Sequence, residues 1–459
     1  MRIAITKPLF AWDCLDDSPN LKTIQQFLRS VPDGKLLIAL RQSRAKGRDD
    51  YPVYVLWGVS LLTPLLRHPS TEATLAELRR NAGLRSLIGI HREDQVPKKW
   101  NMSRFQEVLG RQPHLSLLHD IFDDMVRQLG EEVQDLGQHT AGDATNLLAR
   151  RPRGKKKKVN SDLPQPTGGR KEYTDEKGEV VKVVEWFGYK LHLLVDTRHE
   201  VSVAYRTSSA NVGDNEILPD LITDATKNLP PVQDKDKGGL RGRVCTLAYD
   251  KAADTEAIHE LLHKAKISPV VQNRSLWKDD FERMLPGHDG GSNVVYDEAG
   301  TVYCYDKVSK TPVRHPMAYI GHERSRGTLK YRCPAMHEGW KCPSHKRCNA
   351  GKKYGKTLRV KREIDLRRFP PIPRATKQFE RLYKTRTAVE RVNARTKIFW
   401  GVDDGNVVGA ERFHANVGVV MVVHVGLATL LAACPRREGT LGKMRLGPIA
   451  KVLHGKLNL

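Results

Sequence analysis

Between Tyr383 and Lys397 four chemically distinct side chains fall at fixed gaps. Tyr383, Arg386, Glu390 and Lys397 are separated by two, three and six residues. One carboxylate thus shares a short stretch with a phenol and two cations. Two aspartates precede it: Asp143 in His139–Thr145, and Asp250 directly after the apolar run Val244–Tyr249. Three carboxylates of this kind suit metal-dependent phosphoryl transfer. Hard oxygen ligands hold two Mg²⁺ or Mn²⁺ ions about 4 Å apart, one activating the attacking oxygen and one the leaving oxygen. Surrounding cations then neutralise charge on the scissile phosphate.

Tyr383–Lys397 contains no Pro or Gly, so a single helix is predicted. At about 100° per residue its Tyr, Arg, Glu and Lys lie within roughly 60° of one another. Leu382, Val389 and Val392 would seat that helix on a core, while Lys384, Arg391 and Arg395 face solvent or polyanion. An ordinary charged helix with local salt bridges is the plainer alternative. Upstream, Trp186–Asp196 and Glu200–Thr207 alternate as strands, and Glu216–Thr226 reads as a helix. Val244–Tyr249 is predicted as a buried strand, Thr255–Ala265 as a helix and Ile267–Val271 as a further strand. These make a mixed α/β sheet, with Asp143 and Asp250 expected at strand ends, where ligands bind in such sheets. A lone Asp at a helix-to-strand transition, as at Asp143, is otherwise a turn residue.

The chain has 459 residues and a net charge of +24. That points to a polyanionic partner, nucleic acid before anionic membrane, without separating enzyme from binder. Residues 1–136 read as short helices, including Tyr51–Leu66, Glu72–Asn81 with Ser70 or Thr71 as N-cap, Trp100–Leu109 and Leu115–Leu136. This pattern fits a DNA-binding module and a helical scaffold equally. From Arg150 through Lys155–Lys158 to Lys177 the composition is that of a flexible basic loop, either solvated or in contact with phosphate. Met1–Pro8 shows no signal peptide, and a cytoplasmic location with no membrane partner is expected. The apolar run Ala415–Cys434 is long enough for a membrane span, but a buried core helix is expected.

Residues 275–374 change to short strands and turns, an inserted β-rich subdomain holding Cys304, Cys333, Cys342 and Cys348. Their spacing matches no standard zinc knuckle, yet four thiols in one insert favour Zn²⁺, with reduced structural cysteines as the alternative. The insert is poor in aliphatics and is expected to lack a core of its own. A closed zinc site, with His345 as substitute ligand, would supply the missing folding free energy.

Together, Gly142–Thr145, Tyr249–Asp254 and Tyr383–Lys397 resemble the DDE transposases of bacterial insertion sequences, in the group carrying a Tyr-Arg-Glu-Lys signature. The strings Asn81–Gly89 and Met102–Phe105 resemble the N-terminal domain of many such transposases, which favours DNA-end recognition for that region. The resemblance implies an RNase H-like α/β core with a helical N-terminal domain and a β-rich insertion before the last catalytic helix. The expected domains are 1–136, 137–274, 275–374, 375–435 and a basic tail, 436–459, with the core divided by the insert. Asp143, Asp250 and Glu390 would be Mg²⁺ or Mn²⁺ ligands. Tyr383, Arg386 and Lys397 would hold transposon-end phosphates, with Arg391 and Lys251 beside them on DNA. The implied partners are double-stranded inverted repeats, target DNA and a second copy of the chain in a synaptic complex. Many relatives carry Tyr where this chain has Ala253, and Asp254 is the alternative second aspartate. A nuclease without strand transfer and a non-catalytic transposase-derived DNA-binding protein are the rival readings.

Overall fold

The computed structural model describes residues 19–44, 51–150, 162–175, 179–233, 240–279, 282–286, 293–306, 308–403, 407–434, 439–442 and 446–454. Helices come first: α1 (Pro19–Ser30), α2 (Gly34–Arg44), α3 (Val53–Leu65), α4 (Thr71–Arg80), α5 (Ala82–Leu87), α6 (Lys99–Leu109) and α7 (His114–Glu132). Then follow β1 (His139–Leu148), β2 (Thr167–Thr174), β3 (Val180–Asp196), β4 (Ser202–Ser209), α8 (Asp214–Asn228), β5 (Val232–Gln233), β6 (Leu240–Arg241), β7 (Thr246–Tyr249), α9 (Glu256–Lys264) and β8 (Ser268–Val271). The insert contributes β9 (Arg283–Met284), β10 (Val294–Tyr296), β11 (Val302–Tyr305), β12 (Arg314–Pro316), β13 (Ala318–Glu323), β14 (Thr328–Arg332), α10 (Pro334–Glu338), α11 (His345–Asn349) and β15 (Thr357–Lys361). Last come α12 (Lys377–Lys384), α13 (Thr387–Ile398), α14 (Ala410–Ala432) and α15 (Leu446–His454).

The chain divides into two compact units. The first comprises Met1–Gln138, Gly142–Arg243 and Ala388–Leu459, and the second His139–Ala141 and Val244–Thr387. Parallel and antiparallel pairings both occur, so the fold is mixed α/β.

In the first unit α14 is the central element, packed by α1, α3, α6, α7 and β4. It is apolar enough to cross a membrane, with a mean hydropathy of 2.0, but 83% of its apolar window is buried within the protein. The expected core helix is therefore present, beginning five residues before the predicted start. Close packing demands small residues on it: a Cβ on Gly426 would lie 2.4 Å from the Phe27 ring. Its His424 is fully enclosed. Burial and the nearby Arg395 push the imidazole down to about 3, so it is neutral and accepts the Ser202 N–H at 2.9 Å.

β3 is the long strand of this unit. Its first part pairs antiparallel with β2, from Thr167 opposite Gly188, and its second part with β4, from Tyr189 opposite Ser209. β2 lies in the stretch read from composition as a loop. Pairing with β3 supplies the backbone partners that polarity and glycine content gave no hint of. The basic residues Arg151, Arg153 and Lys155–Lys158 lie outside the described residues. The first unit's share of β1 lies beside β3, and the Ala149 N–H donates to the Phe187 carbonyl at 2.9 Å.

In the second unit β1 begins as a parallel neighbour of β7, with His139 opposite Thr246 and Ala141 opposite Ala248. β7 continues parallel to β8. Thr140 Oγ1 donates to the Thr246 carbonyl at 2.9 Å, fixing that register. The insert forms a four-stranded sheet, β12-β11-β10-β9, and a three-stranded one, β13-β14-β15. Contrary to the expectation from composition, it buries a core of its own, including Leu285, Val294, Val302, Leu329, Leu358 and Phe369. Apolar residues scattered singly through the sequence meet across strands, which a linear count does not register.

Gly188 is where β3 admits β1. A Cβ there would lie 2.0 Å from the Leu147 carbonyl oxygen. Because that neighbour is backbone, Gly188→Ala should cost at least about 1–3 kcal/mol. Denaturant unfolding checks this, with Gly168→Ala, whose Cβ meets nothing within 4 Å, as the near-neutral control.

Candidate active site

β1 carries Asp143 at its fifth residue, half-buried and within the strand. The expected strand end is thus five residues too early; β1 runs on to Leu148 because the Leu147–Ala149 backbone lies along β3. Asp250 does sit where expected, directly after β7. It caps the following 3₁₀ turn Lys251–Ala253, its Oδ1 accepting the Ala252 N–H at 2.9 Å. Lys251 is exposed. Counted along the chain, Asp143 comes two residues after Ala141, and Asp250 two after Ala248, the residue paired with Ala141.

The predicted single helix over Tyr383–Lys397 is two helices, with α12 ending at Lys384 and α13 starting at Thr387. Thr385 explains the break. Its Oγ1 donates to the Leu382 carbonyl at 2.6 Å, and the backbone turns through Thr385 N–H to Leu382 O at 3.1 Å and Arg386 N–H to Tyr383 O at 3.0 Å. Such side-chain bonds compete with the helical ladder, although no Pro or Gly is present. Tyr383 therefore belongs to α12, where it stacks on Phe379 with centroids 5.9 Å apart. Arg386 lies in the turn. Glu390 is exposed in the first turn of α13, and Lys397 is in its last turn.

Within the first unit the cations of α13 have identified partners. Lys397 Nζ lies 3.1 Å from Asn146 Oδ1 and 3.3 Å from Asp403 Oδ2. Asp403 Oδ1 in turn accepts the Leu148 N–H at 2.6 Å, tying α13 to the end of β1. Arg391 Nε donates to Glu200 Oε1 at 2.6 Å, and Arg395 also pairs with Glu200. Arg391 and Arg395, expected on a free face, thus clamp one carboxylate. Lys384 on α12 bridges Glu380 at 2.7 Å across an exposed helical turn. Glu200 occupies the turn after β3 with φ of 54°, a left-handed conformation uncommon outside glycine. Neither Glu200 nor Asp403 stands out in the sequence, since each is a single acid in a polar turn.

Asp254 is a different kind of residue from Asp250. Its side chain is fully buried, with Oδ1 taking His259 Nε2 at 2.9 Å and Arg374 at 2.8 Å. Oδ2 takes Arg367 at 2.8 Å and the Arg274 N–H at 2.8 Å. Both oxygens are saturated, so the alternative assignment of Asp254 as a metal ligand fails on chemistry. Burial alone would raise its pKa, but His259, Arg374, the Arg274 amide and Arg367 together hold it below the usual carboxylate range.

The four insert cysteines are free thiols around one small cavity. Burial, with the neighbouring Cys333, Cys342 and Cys348, pushes the Cys304 thiol up to about 12. His345 is exposed, its Nδ1 3.5 Å from Asn349 Nδ2, and is not among the residues lining that cavity. Among the described residues, no three His, Cys, Asp or Glu side chains are grouped closely enough, as placed, to hold a metal ion.

Residues 135–425 match the family described as Transposase DDE domain. Since that span is more than half of the chain, the protein belongs to the DDE transposase family. No curated protein sequence matches it. Asp143, Asp250, Glu390 and the whole β-rich insert fall inside the matched residues.

Removing the buried Asp254 carboxylate would strand two half-buried guanidiniums. Asp254→Ala should therefore destabilise the fold by about 3–5 kcal/mol. The pH sign follows from the depressed pKa. The contribution is full above the ordinary carboxylate pKa and is lost as pH falls through the lower folded value. Thermal melts from pH 6 to pH 2 should show this loss in the native chain and a flatter profile in the variant.

Proposed function

We propose that this transposase binds the inverted-repeat ends of its own insertion sequence and carries out metal-dependent DNA cleavage and strand transfer. The carrying observation is the placement of three carboxylates inside the matched span: Asp143 on β1, Asp250 at the end of β7, and Glu390 in the first turn of α13. Their donor chemistry fits Mg²⁺ or Mn²⁺, which prefer hard oxygens. Asp250 gives Oδ1 to a cap, and Glu390 is exposed. Asp254, four residues after Asp250, is saturated with protein donors and is not among the proposed ligands.

Asp143, Asp250 and Glu390 would hold the ions, which when bound supply Lewis acidity to the attacking and leaving oxygens. The chain's own part is positional and electrostatic. β7 and the 3₁₀ cap orient Asp250, while the Lys397–Asn146 and Asp403–Leu148 bonds hold α13 to the strand that carries Asp143. Tyr383, Arg386, Lys397, Arg391 and Lys251 are the proposed DNA contacts. Lys397 and Arg391 already satisfy protein acids, so phosphate would compete with Asp403 and Glu200 for them. A homodimer would form the synaptic complex.

Asp143→Asn, Asp250→Asn and Glu390→Gln should each lower end cleavage by roughly a hundredfold or more, while gel-shift affinity for the inverted repeat in chelator stays within threefold. Unimpaired cleavage in one of them removes that residue from the site. Arg386→Ala tests the phosphate contacts separately. The slope of log affinity against log salt should fall by about 0.9. An unchanged slope with a lower melting temperature would make Arg386 a structural residue.

A further inference from the structure

The insert holds a feature apart from the carboxylates proposed for DNA chemistry. Cys333 to Lys356 is a long excursion between β14 and β15, closed at its base by the Cys333 N–H donating to the Lys356 carbonyl at 2.8 Å. Its regular structure is limited to α10 and α11, five residues each. Helices so short are not stable by themselves. Few apolar side chains accompany them, chiefly Met336, Trp340 and Tyr354, and the last is exposed. The core of the insert is drawn from its strands and the loop near Phe369, so something other than aliphatic burial must hold this excursion.

From these residues we infer that Cys304, Cys333, Cys342 and Cys348 form a structural zinc site. All four line one small cavity, Cys304 from β11 and the other three from the excursion. Three of the four sulfurs already face N–H donors. Asn349 Nδ2 is 3.5 Å from Cys333 Sγ, Asn293 Nδ2 is 3.9 Å from Cys348 Sγ, and the Ser344 amide donates to Cys342 Sγ. Donors of this kind stabilise thiolate charge and orient metal-bound sulfur. Lys356 on the cavity wall, its Nζ donating to Asn293 Oδ1 at 2.8 Å, supplies positive charge beside the thiols, against the carboxylate of Asp306 on the same wall.

No Cys-x-x-Cys pair is needed, because β11 and the two short helices bring the thiols together from distant positions. Closing on one ion at Zn–S distances of about 2.3 Å requires the side chains to turn further into the cavity. The insert's strand core means that the ion would secure the excursion rather than fold the whole subdomain. The inference is independent of the proposed DNA chemistry.

The full-length chain is purified without added metal and analysed for zinc, alongside Cys342→Ser and the control Cys245→Ser. One zinc per chain is expected in the native protein and the control, and loss of it in Cys342→Ser. Cobalt(II) exchanged into the native chain should give the intense visible bands of tetrahedral thiolate coordination, and Mg²⁺ should not displace it. Should Cys342→Ser be insoluble, the cobalt spectrum and a native thiol count on the unaltered chain still decide. Only trace zinc with four freely reacting thiols, or a disulfide among them, overturns the proposal.

Discussion

A single buried negative charge organises the second unit. Asp254 lies four residues beyond Asp250, and its carboxylate gathers His259 from α9, the Arg274 amide beyond β8, and Arg367 and Arg374 from the end of the insert. Burying such a charge without partners is prohibitive, and four donors make it tolerable. The same guanidiniums reach outward: Arg374 also bonds the carbonyls of Val271, Ala299 and Arg367. One carboxylate thereby sets where the chain leaves β8 and where the insert returns. It also confines Asp250, which has β7 on one side and, after a single 3₁₀ turn, this anchor on the other.

In the first unit an analogous constraint uses fewer charges. Glu200 accepts both Arg391 and Arg395, one turn apart on α13, so the helix cannot roll without losing one of them. That pairing helps settle which side of α13 is exposed, and Glu390 lies on it. The arginines that the sequence assigns to a polyanion-facing surface thus orient the carboxylate beside them.

Much of the arrangement is legible in the sequence where periodicity is strong. β7, β8, α9, the Ser70 cap of α4 and the apolar α14 all fall within a few residues of their expected places. Legibility fails where distant residues decide. The break at Thr385 depends on local side-chain bonding that a helical wheel ignores, and β2 depends on a partner strand. α1 and α2 precede the segments whose pattern was clear. The anchor at Asp254 needs arginines more than a hundred residues away, so its sequence neighbourhood suggests only another acid near a candidate ligand. The family match shows a DDE transposase, while the spacing of Tyr383, Arg386, Glu390 and Lys397 crosses two helices rather than one.

The composition of α14 has a consequence for how the chain acquires its structure. Val417, Val419, Val420, Val422, Val423 and Val425 are β-branched residues that favour a helix only weakly, so α14 owes its form to the helices around it. Those helices belong to the N-terminal part of the chain, and α14 is near the C-terminus. Loop closure over most of the chain must therefore precede consolidation of the first unit, a high-contact-order step that makes folding slow. During synthesis the apolar faces of α1, α3 and α7 have no α14 to cover them, and this nascent state is the aggregation-prone stage of the protein's life.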